Sequence, residues 1–173
     1  MTVSRVSSSS RYAPVIGFSS AVRAGEWVTV AGATAIDGDG RVVGDGDPYA
    51  QAQEALRKIG VALQEAGTDL AHVVQTRTYL THTDHWEQVG RAHGDVFAAH
   101  PPAATMVVVA GLLDHRMLVE IEALAYTGSR PPGGECVWPR VGCGVPPEPQ
   151  VSRNACCTDV STSSMRTPRL DRR

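Results

Sequence analysis

Glu120 and Glu122 are the side chains of this sequence best placed for general acid–base work. They alternate with Val119, Ile121 and Ala123 inside Met117 to Tyr126, so in a strand both carboxylates stand on the face opposite the apolar residues. Ordinary half-exposed strands alternate in the same way, so the pattern marks a carboxylate face without selecting catalysis. His82, His85 and His93 invite a metal reading, with 85 and 93 on similar helical faces. A metal site needs three or four converging ligands, however, and no paired carboxylate supports these histidines. Satisfied or solvent-facing imidazoles are expected. Ser19, Ser20 and Thr105 could be nucleophiles only beside a base. No Gly-x-Ser-x-Gly elbow surrounds the serines, which leaves all three as pocket-lining hydroxyls or backbone partners. The run from Asp37 to Asp47 alternates acids and glycines as a calcium loop does. Pro48 stands where the bidentate Glu belongs, and a calcium site of this kind needs a flanking helix on each side, so a glycine-rich turn around a short strand at Arg41 to Val43 is expected.

Strands and two helices must hold these groups. Ser20 to Ala24 and Trp27 to Ala33 read as a hairpin turning at Gly25. Asp47 caps a helix that has Pro48 at its first position. Ala52, Ala55, Leu56, Ile59, Leu63 and Ala66 form its buried stripe, and Gly67 ends it. Val73 to Leu80 has strand composition, with Val74, Thr76, Thr78 and Leu80 facing one way. A second helix is predicted from Asp84, with Glu87 as the capping-box acid and Trp86, Val89, His93 and Phe97 as its inner stripe. His100-Pro101-Pro102 stops it. Strands at Ala104 to Val109 and Met117 to Tyr126 complete the order ββ(β)αβαββ. The fold class is α+β, a mixed β-sheet with two helices on one face. Two helices leave the second face bare, and that face carries apolar groups, so a closed homo-oligomer is predicted.

A length of 173 residues with 42% apolar content is enough for one core. No apolar run approaches the ~20 residues that cross a bilayer, and Met1 to Tyr12 is Ser-rich without a hydrophobic signal segment. No membrane partner and a cytoplasmic location are expected. The net charge of −2 gives no field to recruit nucleic acid, which points to small-molecule or protein partners. Up to Thr127 the chain holds nine basic and fourteen acidic residues, a balance of −5, against seven and four beyond it, a balance of +3. Seven of the eleven prolines fall after Gly128 with no apolar periodicity, so residues 128–173 read as a disordered tail that cannot offset its ordering entropy. Its four cysteines, Cys136, Cys143, Cys156 and Cys157, lack metal-site spacing and read as reducible thiols. Residues 1–12 read as a flexible N-terminus and 13–127 as the domain.

Ala13-Pro-Val-Ile-Gly17-Phe18-Ser19, Val28 to Gly32, Ala66-Gly67, Pro101-Pro-Ala-Ala-Thr105 and Val119-Glu-Ile-Glu-Ala123 occur in order across 11–127. Together they resemble the Rid (YjgF) family of reactive intermediate deaminases. The resemblance implies a chorismate-mutase-like closed trimer whose active sites lie in clefts between neighbouring subunits. It also implies hydrolysis of imines and enamines to a 2-oxo acid and ammonia, without cofactor or metal. Family members with that activity carry an arginine before the fifth major strand that clamps the substrate carboxylate. Here that position is Ala104. Losing such a charged pair weakens 2-imino acid binding by roughly 10- to 100-fold. Phe18 stands where Tyr is frequent, Gly90 where Asn is frequent, and Met106 where Cys is common. The resemblance makes Glu120 the residue that orients the hydrolytic water and Gly32 a glycine bordering the pocket, while Glu122 keeps the reading of a solvent-facing strand residue.

Two functions follow from these residues. One is an imine or enamine hydrolase whose substrate lacks the usual carboxylate, with Glu120 placing water in a cleft lined by Phe18, Gly32, Ala104 and Met106. The other is a non-catalytic trimer that binds a small metabolite or regulates a partner enzyme, which suits the loss of several polar groups together. A ribonuclease role is the weakest reading, because the body is acidic and lacks a basic aromatic platform.

Overall fold

A computed structural model describes residues 2–128, so the expected tail, with its four cysteines, lies outside the described residues apart from Gly128. The described strands are β1 (Val3–Val6), β2 (Ala21–Ala24), β3 (Trp27–Ala33), β4 (Val73–Leu80), β5 (Ala103–Val108) and β6 (Val119–Tyr126). They form one sheet in the order β1-β2-β3-β6-β4-β5. Neighbours are antiparallel except β4 and β5. A parallel pair needs a crossover, and helix α3 (Trp86–Phe97) supplies it. Helix α2 (Pro48–Glu65) joins β3 to β4, and a single turn, α1 (Ala13–Ile16), precedes the hairpin. No helix among the described residues is long and apolar enough to cross a membrane.

Helices α2 and α3 pack on one face of the sheet. Val28 and Val30 of β3, Leu80 of β4 and Val119, Ile121, Ala123 and Ala125 of β6 meet Ala52, Leu56, Ile59 and Leu63 of α2 and Val89, Ala92 and Phe97 of α3. Each of the larger apolar side chains adds about 1.5–3 kcal/mol through burial. Asp47 caps α2 as expected, its Oδ1 accepting from the amides of Tyr49 and Ala50 at 3.0 and 3.1 Å. Gly67 ends the helix with φ +77°, a conformation that favours glycine. Arg23 of β2 secures that end by donating to the Ala66 and Gly67 carbonyls and to Oγ1 of Thr127. The fully buried Gln51 joins three segments: its amide donates to the carbonyls of Gly44 and Arg116, and its Oε1 accepts from Leu118 N.

Several expectations are corrected. Val3–Val6 lies inside the segment read as a flexible N-terminus, yet it pairs with β2 from Val3↔Ala24 to Val6↔Ala21. Four residues ahead of the Ser7–Ser10 run make too weak a pattern to read as a strand, and they are held as an edge strand by the hairpin beside them. Val74 does not share a face with Thr76, Thr78 and Leu80, because an irregularity between Val73 and Gln75 breaks the alternation. Val73 is buried in its place and Val74 is exposed. Asp84 does not cap the second helix: it lies in a 3-10 turn, Thr83–His85, that His82 caps, its Nδ1 accepting from Asp84 N at 3.2 Å, and α3 begins after His85 with no side-chain cap. Trp86 thereby becomes the first residue of α3 and is exposed, with Ala92 taking its place in the buried stripe. The short strand at Arg41 to Val43 reduces to a single bridge between Ile36 and Val42. Met117 is buried but precedes β6, its amide donating to the Asp114 carbonyl in the turn before the strand.

Candidate functional site

The two faces of β6 have separate roles. Val119, Ile121, Ala123 and Ala125 are buried under the helices, and Glu120, Glu122, Leu124 and Tyr126 stand on the open face. In β4, Tyr79 lies opposite Glu120 and Arg77 opposite Glu122. Arg77 Nη1 donates to Glu122 Oε1 at 2.7 Å, which assigns Glu122 to a half-exposed surface ion pair. Glu120 has no cationic partner among the described residues. Burial first, and then the charge of Glu122, raise its carboxyl above the ordinary glutamate value. A raised carboxylate is a better proton acceptor near neutrality than an ordinary one.

Gly32 explains how the Glu120 carboxylate fits. The β3–β6 pairing runs from Trp27↔Tyr126 to Val30↔Ala123 and resumes at Ala33↔Ile121, so a bulge occupies the interval that contains Gly32. A Cβ at position 32 would collide with Oε1 of Glu120 and lie 2.8 Å from its Cδ. Glycine is required here for a close approach, not for an unusual backbone angle. The far side of the same stretch opens into a cavity of about 360 Å³ between the N-terminal loop, the end of β3 and α2. Phe18, Gly32, Arg11, Lys58 and Ile59 are among its lining residues. Three of the charged residues lining this cavity are already engaged. Lys58 donates to the carbonyls of Thr34 and Ile36, with burial lowering its ammonium pKa, and Arg57 pairs with Glu54 at 2.6 Å.

Ala104 and Met106 lie elsewhere. They are register partners of Thr76 and Thr78 in the parallel β4–β5 pair, and parallel partners point to the same side of a sheet. Thr76 and Thr78 are buried on the helix side, so Ala104 and Met106 share that side while Glu120 occupies the other. All six residues of β5 are exposed, which shows that α3 does not extend over this edge strand. Gly90 lies on α3, and a Cβ there would meet nothing within 4 Å. A single copy therefore brings Gly32 against Glu120, places Phe18 in the cavity on the other side of Gly32, and holds Ala104 and Met106 on the opposite face of the sheet from Glu120.

His93, placed by sequence among core-facing residues, sits beside Thr76, the register partner of Ala104. Its Nε2 is 2.9 Å from Oγ1 of Thr76, and its ring packs on Phe97 at a centroid distance of 4.6 Å. Burial depresses its pKa. His82 and His85 pack together near the start of α3, with ring centroids 5.6 Å apart, and do not join it.

The family model described as Endoribonuclease L-PSP matches residues 8–127. An uncharacterized protein of Streptomyces coelicolor is 42% identical over 127 residues, which span 73% of this chain and 94% of that protein. The human protein named 2-iminobutanoate/2-iminopropanoate deaminase is 28% identical, over 73% of this chain and 92% of its own length. The crystal structure of Rv2704 from Mycobacterium tuberculosis, a member of the YjgF/YER057c/UK114 family, superposes with a TM-score of 0.66. It is 43% identical, over 72% of this chain and 99% of that one.

Proposed function

Because this chain belongs to the YjgF/RutC family, also called Rid, we propose that it is a cofactor-independent hydrolase that releases ammonia from a reactive imine or enamine metabolite. The observation that carries the reading is Glu120: half-buried, unpaired with any cation among the described residues, and fitted against a glycine that leaves it room. The chemistry balances with water alone. As the water oxygen bonds to the carbon of a protonated imine, the C=N electron pair moves to nitrogen and Glu120 takes one proton from the water. Glu120 then returns that proton to the amino nitrogen of the amino alcohol, the oxygen lone pair expels ammonia as the C=O bond forms, and the hydroxyl proton passes back to Glu120, leaving a neutral carbonyl product. The protein mainly has to hold the substrate and aim the water.

Ala104 at the carboxylate-clamping position argues for a substrate other than the usual 2-imino acid. Glu120 on one face of the sheet and Ala104 and Met106 on the other argue for a second copy completing the cleft. We assign the working unit as a chorismate-mutase-like homotrimer, acting in the cytoplasm, in which the exposed β5 of one copy brings Gly90, Ala104 and Met106 to the Glu120 region of the next. Ammonia release from a panel of imines with and without carboxylates tests the reading. Glu120→Gln is expected to abolish turnover, and equal rates in the native protein and the variant would remove Glu120 from the mechanism.

A non-catalytic metabolite-binding trimer is the alternative. It is favoured by the number of positions, Phe18, Gly90, Ala104 and Met106, that supply no polar side chain to the cleft. Ligands found by thermal shift, with no turnover across the panel, would support it.

A further inference from the structure

We propose that His93 is the polar ligand contact of the β5 side of the cleft, donating one hydrogen bond from Nδ1 to an uncharged acceptor, a carbonyl oxygen or an imine nitrogen. The inference rests on the reading that Gly90, Ala104 and Met106 border the ligand. Its starting point is Thr76, whose hydroxyl is fully buried and whose hydrogen-bond partner among the described residues is His93 Nε2, at 2.9 Å. A buried hydroxyl hydrogen needs an acceptor, so Thr76 donates and Nε2 accepts. The ring then carries its proton on Nδ1. Phe97 packs against the same ring.

Ala104 is the next residue across the sheet from Thr76, one strand spacing away and on the same side. Its side chain is only a methyl group, and at Gly90, one helical turn before His93 on α3, a Cβ would meet nothing within 4 Å. The two side chains in contact with the ring, Thr76 and Phe97, and Ala104 across the strand from Thr76 carry no charge. Burial alone moves the imidazole pKa, downward, so the ring stays neutral at physiological pH. A neutral donor in apolar surroundings does not offset the desolvation of a carboxylate, but it does satisfy a carbonyl or imine acceptor. The ligand class is thus an uncharged polar group at this end of the molecule.

Histidine-ring nitrogen NMR on the full chain tests the proposal, with propanamide and 2-oxobutanoate as probes. Propanamide is expected to shift the Nδ1 signal of His93, and 2-oxobutanoate is expected to leave it in place. His93→Phe should weaken propanamide binding about 10-fold, and His93→Gln, which restores a donor, should bring it within about 3-fold of native. Thr76→Val should leave the ring present but mix its tautomers. An unmoved His93 signal, native-like binding by His93→Phe, or preferential binding of the oxo acid at His93 would overturn the assignment. Ammonia release is read separately. Turnover with an uninvolved His93 sinks this inference and leaves the hydrolase standing, whereas probe binding at His93 without turnover does the reverse.

Discussion

Gly32 and Glu120 are in contact across the β3–β6 pair, with the glycine occupying the space that any Cβ would take from the carboxylate. Gly32→Ala should therefore displace the Glu120 side chain, which is flexible, rather than break the strand. Ammonia release is expected to fall by about 100-fold, the scale of effect that a misplacement near 1 Å produces. The circular dichroism spectrum should stay native. An alanine variant with native activity would show that the position of Glu120 does not matter.

Glu120 also predicts a pH-dependent stability effect. Its pKa is raised in the folded protein, so folding penalises the charged form. The penalty is complete above the raised folded value, fades as pH falls through it, and vanishes below the unfolded glutamate value of about 4.3. Glu120→Gln should raise Tm at pH 7.5 and give no gain at pH 3.5. A gain of equal size at both values would contradict the assigned shift.

Ala104→Arg tests whether the cleft is otherwise intact. Arginine adds a charge-assisted pair for a substrate carboxylate, and steady-state kinetics on a small 2-imino acid should show a roughly 10- to 100-fold gain in kcat/KM. No gain would mean that the pocket has diverged beyond this one position, favouring the binding-module alternative.

The exposed β5 and the open face of β6 predict assembly. Size-exclusion with light scattering at micromolar concentration should give the mass of three chains, and a stable monomer would sink the shared-cleft reading.

Much of the frame was legible because it obeys local rules. Asp47-Pro48, the α2 stripe, Gly67 and the alternation of β6 each combine a propensity with a period. What escaped reading depends on partners. Val3–Val6 is a strand only because β2 accepts it, and the Val73–Val74 reversal comes from an irregularity against β6 that no single-strand pattern announces. In the candidate site, Glu120 could be picked out by alternation and its match to the family. The opposite facing of Ala104 could not, since it follows from a parallel register with Thr76 across a helical crossover. His93 was visible at helical spacing, but its hydrogen bond to a buried threonine 17 residues away was not.

The bulge in β3 has a further consequence for how this strand can change. Val28 and Val30 pack inward from even positions, and Ala33 packs inward from an odd one, so the bulge switches the inward parity partway along the strand. Substitutions in the hairpin end can then be selected for packing while the segment beyond the switch is selected for its fit to Glu120. Deleting one residue from 31–32 would let Val28, Val30 and Ala33 all stay inward in a regular strand. Such a deletion would preserve the core while erasing the notch that receives the carboxylate, and so would separate foldability from activity within a single codon.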